Sequence, residues 1–287
     1  MDSDNRYGIK EIQEKLLEIL LYFKKFCDEN ELKFVLAGGT CLGAVRNGGI
    51  IPWDDDLDVF MLREDYEKLI KIWPEKADIE RFSCVRSDNM INIHHAATEI
   101  KDNSTTFINH HTADLDINHG LMIDVIPLDD VAKSSFLRIL QFPYAMIFAC
   151  YNFQRLPEHK SRLIYHMTKI ALSLVKSPKN RYKIWKHCEN MMIKLGKNSS
   201  GKVASFIEGP TIMKQQFPKE WFENPKYMDF EGYMMPLPYD FDTWLRVSYG
   251  DYMTPPSEKE RILRHNIKFY DMNNSYTKYK GIHYCEK

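Results

Sequence analysis

A run of acidic residues offers the clearest chemistry in this sequence. Asp54, Asp55, Asp56 and Asp58 lie close together, and the stretch 56–62 predicts a β-strand. Because side chains at positions i and i+2 of a strand share a face, Asp56 and Asp58 are expected to project side by side. Paired carboxylates hold hard divalent cations such as Mg²⁺ or Mn²⁺. The run therefore predicts a metal site that handles phosphate groups.

A third carboxylate is expected to complete this site. Asp124 interrupts the apolar run Leu121–Val125, which predicts a second strand. Burying a lone carboxylate without a cation or a hydrogen-bond donor is costly, so a role in the site explains Asp124 better than packing does. The predicted catalytic and metal-binding residues are thus Asp56, Asp58 and Asp124. An Asp124 that is only hydrogen-bonded within the fold is the alternative.

A glycine-edged turn precedes the acidic run. Gly38, Gly39 and Thr40 follow a predicted strand at 32–37 and lead into a short helix, which the glycine pair at 48–49 is expected to end. Glycine lets the backbone approach phosphate oxygens, and the N–H groups at a helix start favour negative charge. The turn therefore predicts a phosphate cradle.

Other motif interpretations fit the spacing less well. The segment 38–49 lacks the Lys-Ser/Thr ending of a Walker loop. The acidic run matches the first ligands of a calcium-binding hand, but Val59 stands where that loop needs glycine. The histidine pairs at 94–95 and 110–111 come without an HExxH motif or paired cysteines, which favours surface or site-edge histidines over zinc ligands.

The elements that must position these residues follow from apolar periodicity. Residues 8–29 and 63–73 predict amphipathic helices, 81–126 predicts several strands, and 134–198 predicts further helices. The C-terminal third predicts loops with one or two helices. The expected fold class is α+β, with a mixed sheet flanked by helices and additional helical segments in the C-terminal half.

Composition and charge set broad limits on the protein. With 287 residues, 44% of them hydrophobic, the chain is long enough for a sizeable core and is expected to form one compact body. The opening residues carry no apolar segment typical of a signal peptide, and the six cysteines form no CxxC pair, which together predict a cytoplasmic protein with reduced thiols.

The net charge of −1 conceals a basic segment at 155–202, which contains 12 Lys or Arg and only two acidic residues. Such a segment indicates an anionic partner, or a solvated helix face. The apolar run 142–151 is too short to span a bilayer and predicts either a buried helix or a shallow membrane contact. Peripheral association with the inner membrane face is therefore one expectation.

The motifs resemble those of a known family, the LicD family of phosphocholine transferases, which is related to the fukutin-type ribitol-phosphate transferases. The residues Phe34–Arg46 and Ile51–Asp58 are similar to the family signature, and Gly120–Asp129 is similar to its second acidic strand. Phe230–Gly232 and Tyr249–Pro256 resemble its C-terminal motifs.

The resemblance implies a nucleotidyltransferase-type catalytic core at 1–130. A helical and loop-rich part at 131–287 would complete the site and bind the acceptor. Arg46 and Asp54 would support phosphate binding beside the glycines. The residues expected to bind substrate are Trp53, Glu231, Tyr252 and His265, of which Trp53 and Tyr252 are also the best-placed aromatics for a cation–π contact with a quaternary ammonium.

The implied reaction moves phosphocholine or a similar phospho-alcohol from a CDP-linked donor to a hydroxyl of a cell-surface glycan precursor. The acceptor could be lipid-linked, as in lipopolysaccharide or teichoic acid biosynthesis, and CMP would be released with Mg²⁺ as cofactor. The donor head group stays open between choline, ethanolamine, glycerol and ribitol. The alternatives are a nucleotidylyltransferase that releases pyrophosphate and a catalytically silent nucleotide-binding protein. No nucleic-acid partner is expected, because the basic residues are not interleaved with a base-stacking motif.

Overall fold

The computed structural model of the chain describes residues 7–156, 162–261, 263 and 266–286. The chain divides into two compact units. The first unit contains Met1–Val85, Glu99–Ile126 and Glu220–Lys287, and the second contains Arg86–Thr98 and Pro127–Lys219. The mixture of helices and strands confirms the predicted α+β class. The predicted roles of 1–130 and 131–287 stay predictions.

Helices and strands follow one another without a regular repeat. In chain order they are α1 (Lys10–Glu29), β1 (Val35–Leu36), α2 (Gly38–Asn47), β2 (Asp58–Leu62), α3 (Arg63–Lys76), β3 (Phe82–Val85), β4 (Thr98–Asp102), β5 (Thr106–Asn109), β6 (Leu121–Ala132), α4 (Ser135–Phe153), α5 (Arg162–Leu174), α6 (Pro178–Gly196), β7 (Ser199–Ala204), β8 (Phe217–Pro218), α7 (Glu220–Glu223), β9 (Lys226–Phe230), β10 (Tyr233–Leu237), α8 (Phe241–Tyr249) and β11 (Ile267–Asp271).

The first unit is built on a sheet with the strand order β1-β2-β6-β4-β3. β1 runs antiparallel to β2, with Leu36 opposite Val59, and β3 runs antiparallel to β4. β6 contributes its residues 121–126 to this unit. Two antiparallel pairs, β9 with β10 and β5 with β11, complete its strands. The sheet order places the segment that carries Asp58 next to the segment that carries Asp124.

Helix α1 shows why the sequence folds as predicted in this part. Its apolar side chains recur every three or four residues, so they line one face of the helix. All of this face is buried, and each such side chain contributes about 1.5–3 kcal/mol on burial. Packing of this stripe therefore stabilises the helix. The buried residues are Ile12, Leu16, Ile19, Leu20, Phe23, Phe26 and Cys27.

Several elements differ from the predicted ones. β1 covers only two residues of the predicted strand 32–37. β2 begins at Asp58, so Asp56 precedes the strand that was expected to start there. A turn is responsible, in which the N–H of Asp54 donates to the carbonyl of Ile51 at 2.9 Å. In the C-terminal third the sequence analysis missed the strands β7 to β11.

The second unit carries the predicted helical region as α4, α5 and α6, beside the strands β7 and β8 and the second half of β6. A buried glutamine, Gln141 of α4, connects three elements. Its Oε1 accepts a hydrogen bond from the N–H of Ala132 at 2.9 Å, and its Nε2 donates to the carbonyls of Asp130 and Met192 at 2.9 and 3.1 Å. Among the described residues, no helix combines the length and apolar character that crossing a membrane requires.

Candidate active site

Three adjacent carboxylates form the first part of the candidate site. Asp54, Asp55 and Asp56 each offer an oxygen, and these atoms lie within 4.8 Å of one another. Asp54 and Asp55 are buried, whereas Asp56 is partly exposed. Gln13 of α1 donates from Nε2 to the carbonyls of Ile51 and Asp54, at 3.1 and 2.9 Å. A side chain that the sequence analysis did not single out thus fixes the loop that carries the carboxylates.

The backbone of Asp58 is held on both sides at the start of β2. Its N–H donates to Oγ1 of Thr40 at 2.8 Å, and its carbonyl accepts from the N–H of Ala37 at 2.9 Å. Thr40 is buried in the first turn of α2. The hydroxyl that was predicted to contact phosphate therefore positions a predicted metal ligand.

Gly38 and Gly39 begin α2, where the two carboxylates come close to the backbone. A Cβ on Gly38 would lie 2.8 Å from Oδ2 of Asp58, and a Cβ on Gly39 would lie 2.5 Å from Oδ2 of Asp54. Gly38 also has a φ of +51°, which favours glycine. The glycine pair makes room for the carboxylates. Its use as a phosphate cradle stays a prediction.

Asp124 lies on β6 directly beside the acidic segment. Its N–H donates to the carbonyl of Leu57 at 3.0 Å, and Leu57 is the residue between Asp56 and Asp58. The three predicted metal ligands are therefore carried by backbone segments in direct contact. A single cation held by Asp56, Asp58 and Asp124 together stays a prediction.

A further acid next to Asp124 was missed by the sequence analysis. Glu99 of β4 and Asp124 each place a carboxylate oxygen within 4.8 Å of the other. Glu99 is buried and forms an ion pair with the buried Lys101 at 2.9 Å. The ammonium group compensates one of the charges in this pair of acids, which lowers the cost of burying them. No motif marks Glu99, because it is one of several polar residues on β4.

A cavity of about 250 Å³ opens beside the acidic loop. Its walls come from the start of α2, from Trp53 and Asp54, and from the C-terminal segment 249–256. Two guanidinium groups lie at the Trp53 ring, with Cζ of Arg46 at 5.8 Å and Cζ of Arg261 at 5.0 Å from the ring centroid. The sequence analysis predicted Arg46 but not Arg261.

Two guanidinium groups near one ring can hold an anion between them. The pKa of Arg46 is lowered by burial and by repulsion from Arg261, and Asp54 opposes that shift. Arg46 nevertheless stays protonated, since a guanidinium does not lose its proton in proteins. Two cations held near each other gain from a phosphate between them. The face of Trp53 already contacts two cations, so a quaternary ammonium is a poorer fit there than a phosphate.

Tyr252 lines the same cavity, with its hydroxyl turned to a neighbouring carboxylate. The hydroxyl donates to Oδ1 of Asp242 at 2.6 Å, and the backbone carbonyl accepts from Nη1 of Arg46 at 3.2 Å. Burial and the hydrogen bond to Asp242 raise the pKa of Tyr252 to about 12. Tyr252 therefore orients Arg46 through its backbone and presents its ring to the cavity.

The other two predicted substrate-binding residues are placed differently. Glu231 lies against the turn that ends α2, where its Oε1 accepts from the N–H of Ile50 at 2.8 Å and its own N–H donates to the carbonyl of Gly48 at 3.0 Å. As predicted, α2 ends at this glycine pair, with Gly48 in the left-handed conformation. Glu231 thus fixes the loop between α2 and the acidic run. His265 lies outside the described residues.

Comparisons with known proteins show which proteins this chain is similar to. Residues 31–123 match a family described as LicD/FKTN/FKRP, nucleotidyltransferase domain. The chain is also 27% identical over 272 residues to the lipopolysaccharide cholinephosphotransferase LicD of Haemophilus influenzae, an alignment that covers 90% of this chain and 96% of the relative. Both matches support the similarity to the LicD family.

Shorter similarities connect the chain to two uncharacterized proteins. One, from Rickettsia prowazekii, is 49% identical over 47 residues, which cover 16% of this chain and 18% of that protein. The other, from Rickettsia typhi, is 38% identical over 71 residues, which cover 24% of this chain and 23% of that protein. The family match at 31–123 includes the glycine turn and the acidic run, and it ends one residue before Asp124.

Proposed function

We propose that this protein transfers phosphocholine, or a similar phospho-alcohol, from a CDP-linked donor to a hydroxyl of a cell-surface glycan precursor. One observation carries the proposal: the acidic loop and two guanidinium groups meet at the cavity beside the start of α2. The relative in Haemophilus influenzae, whose name states that it transfers cholinephosphate in lipopolysaccharide, supports this choice of reaction.

The acidic residues suit a hard divalent cation. Asp54, Asp55 and Asp56 present carboxylate oxygens within 4.8 Å of one another, and oxygen ligands are those that Mg²⁺ and Mn²⁺ prefer. An ion held by these residues would neutralise charge on the diphosphate of the donor. In this proposal Asp58 and Asp124 act with the loop, since the backbone of Asp124 contacts the residue preceding Asp58.

The cationic side of the cavity orients the donor. Arg46 and Arg261 face the same ring, so both can bind phosphate oxygens beside it. Arg46 is held in place by the carbonyl of Tyr252. Fixed charges of both signs align the diphosphate for attack, which is the largest contribution a protein makes to phosphoryl transfer.

The transfer step forms one bond and breaks one. The acceptor hydroxyl oxygen forms a bond to the phosphorus that carries the choline, and the bond from that phosphorus to the bridging oxygen breaks. CMP leaves with the electron pair. The hydroxyl proton passes to the carboxylate of Asp124, with Glu99 and Lys101 next to it. We place the reaction in the cytoplasm, with a glycan acceptor that is free or lipid-linked.

Product analysis tests the proposal. The protein is offered CDP-choline, CDP-ethanolamine, CDP-glycerol and CDP-ribitol with Mg²⁺, and CMP release is measured with and without glycan acceptors. We expect one donor to be hydrolysed slowly alone and consumed faster with an acceptor. Pyrophosphate release from a nucleoside triphosphate would instead identify a nucleotidylyltransferase.

Substitution of Asp58 provides the second arm of the test. Asp58→Ala is expected to lower CMP release by about a thousandfold or more, because one of the proposed metal-binding carboxylates is lost. Asp114→Ala is the matched control, since Asp114 is an exposed acid away from the cavity. Circular dichroism checks that both variants fold. If folded Asp58→Ala released CMP at the unaltered rate, the assignment would be wrong.

A further inference from the structure

Two helices of the second unit expose apolar side chains along one face. On α5, Met167, Ile170 and Leu174 are 62%, 59% and 77% exposed. Their spacing of three and four residues places them on one side of the helix. On α4, Phe136 and Ile139 are 68% and 70% exposed.

The exposed side of α4 continues along most of the helix. Phe136, Ile139, Pro143 and Ile147 share one face by their spacing, and all four are exposed. The opposite face of α4 is buried and includes Gln141, whose side chain accepts a hydrogen bond from the N–H of Ala132. A helix that is apolar on its solvent side as well as on its core side is unusual for a surface helix in water.

The rest of the second unit holds α5 in position without covering its exposed residues. The hydroxyl of Tyr151 on α4 donates to the carbonyl of Ala171 at 3.0 Å. Arg181 of α6 donates from Nε to the carbonyl of Val175 and from Nη2 to that of Leu172, at 2.6 and 3.0 Å. α5 is therefore attached to its neighbours through its backbone, and its apolar face stays available.

The positive charge of the neighbouring residues indicates what kind of surface would cover the exposed apolar faces of α4 and α5. Between Glu158 and Glu189 the sequence contains eight Lys or Arg and no Asp or Glu. Lys176, Lys179 and Lys183 lie just after Leu174 and are exposed. Exposed apolar residues next to lysines are typical of helices that lie in the interface of an anionic bilayer. A second copy of the chain fits less well, because pairing these faces would bring two basic segments together.

A cavity between the same helices agrees with a lipid surface. It has a volume of about 250 Å³ and is lined mainly by apolar side chains, with Met146 and Phe153 from α4, Thr168 from α5 and Ile207 and Pro210 from a following loop. Such a cavity has room for part of an acyl chain.

We propose that the exposed apolar faces of α4 and α5 dock the protein on the surface of an anionic membrane, with the lysines after α5 facing the lipid phosphates. The docking is peripheral, since none of the helices in the described ranges could cross the bilayer. It is independent of the donor used in catalysis, so it is measured without substrate.

Vesicle co-sedimentation of the full chain tests this docking. We expect binding to vesicles of phosphatidylcholine mixed with an equal amount of phosphatidylglycerol, weaker binding to phosphatidylcholine alone, and a loss of binding at high salt. Ile170→Glu and Ile139→Glu should each weaken binding by about tenfold or more, since each removes an apolar contact and adds a repelled charge.

A matched variant and two further measurements make the result decisive. Met90→Glu places the same charge at a residue that is 82% exposed outside both helices, and it should bind like the unaltered protein. Circular dichroism and the release of CMP from a water-soluble donor should be the same in all variants. Absence of binding to anionic vesicles, or equal binding by Ile170→Glu and Met90→Glu, would overturn the proposal. A dimer that Ile170→Glu dissociates, seen by light scattering, would assign the faces to a second copy instead.

Discussion

Oγ1 of Thr40 accepts a hydrogen bond of 2.8 Å from the N–H of Asp58. This contact connects the first turn of α2 to the first residue of β2. Thr40→Val keeps the shape of the side chain but removes the acceptor. We expect a loss of about 1–3 kcal/mol in the free energy of unfolding, because a partly buried N–H is left without its partner.

The same variant should release CMP more slowly, since Asp58 loses its support. Thr40→Ser keeps the acceptor and should recover most of the stability and the rate. Urea unfolding and CMP release measure the two effects. A Thr40→Val protein as active as Thr40→Ser would show that the contact does not position Asp58.

Gly39→Ala should lower the rate of CMP release much more than it lowers the free energy of unfolding. The added Cβ would lie 2.5 Å from Oδ2 of Asp54, so that carboxylate has to move. The helix itself favours alanine over glycine by about 0.5–1 kcal/mol, which limits any net loss of stability. We therefore expect a strong loss of CMP release with a change of no more than about 1 kcal/mol in the free energy of unfolding.

Gly201→Ala is the control with the opposite pattern. Gly201 has a φ of +79° and open space around its Cβ position. Alanine there costs about 1–2 kcal/mol through backbone strain and leaves the candidate site untouched. Its turnover should match that of the unaltered protein. Equal turnover in the two alanine variants would contradict the assigned role of Gly39.

Metal removal should abolish the reaction. Chelation with EDTA is expected to stop CMP release, and added Mg²⁺ or Mn²⁺ should restore it. Asp55→Asn should raise the metal concentration needed for half-maximal rate by about tenfold or more, because one charged oxygen ligand is lost. Asp114→Asn makes the same change at an exposed acid and should have no effect. Turnover that persists in EDTA would remove the metal from the mechanism.

The hydroxyl of Tyr252 should ionise at a higher pH than that of an ordinary tyrosine, because its pKa is raised. Its hydrogen bond to Asp242 requires the protonated hydroxyl, and its pKa is raised from 10.0 to about 12. The stabilisation from this group is therefore complete below pH 10 and is lost as the pH rises through about 12. Phenolate absorbance of the unaltered protein minus that of Tyr252→Phe should show a tyrosine that ionises near pH 12. A difference spectrum centred at pH 10 would contradict the hydrogen bond to Asp242.

Local patterns in the sequence were sufficient for much of the fold. The apolar stripe of α1, the end of α2 at Gly48 and the helices between 134 and 198 could be predicted because each depends on residues a few positions apart. The start of β2 could not, since it depends on the turn at Ile51–Asp54 and on bonds to Thr40 and Ala37.

The candidate site was predictable only where its residues form a motif. The acidic run and Arg46 could be named from the sequence. Gln13, Glu99 and Arg261 could not, because each reaches the site from a distant segment that has no recognisable spacing. Glu231 was predicted with a substrate role, but its carboxylate contacts the backbone of Ile50, a relationship that only the folded chain shows.

The bond between Glu231 and Ile50 joins residues 181 positions apart. A ribosome that has made the glycine turn and the acidic run must still add most of the chain before that bond can form. The acidic loop therefore gains its final support late in synthesis, and a chain interrupted near residue 130 would carry the signature residues without the carboxylate that secures their turn.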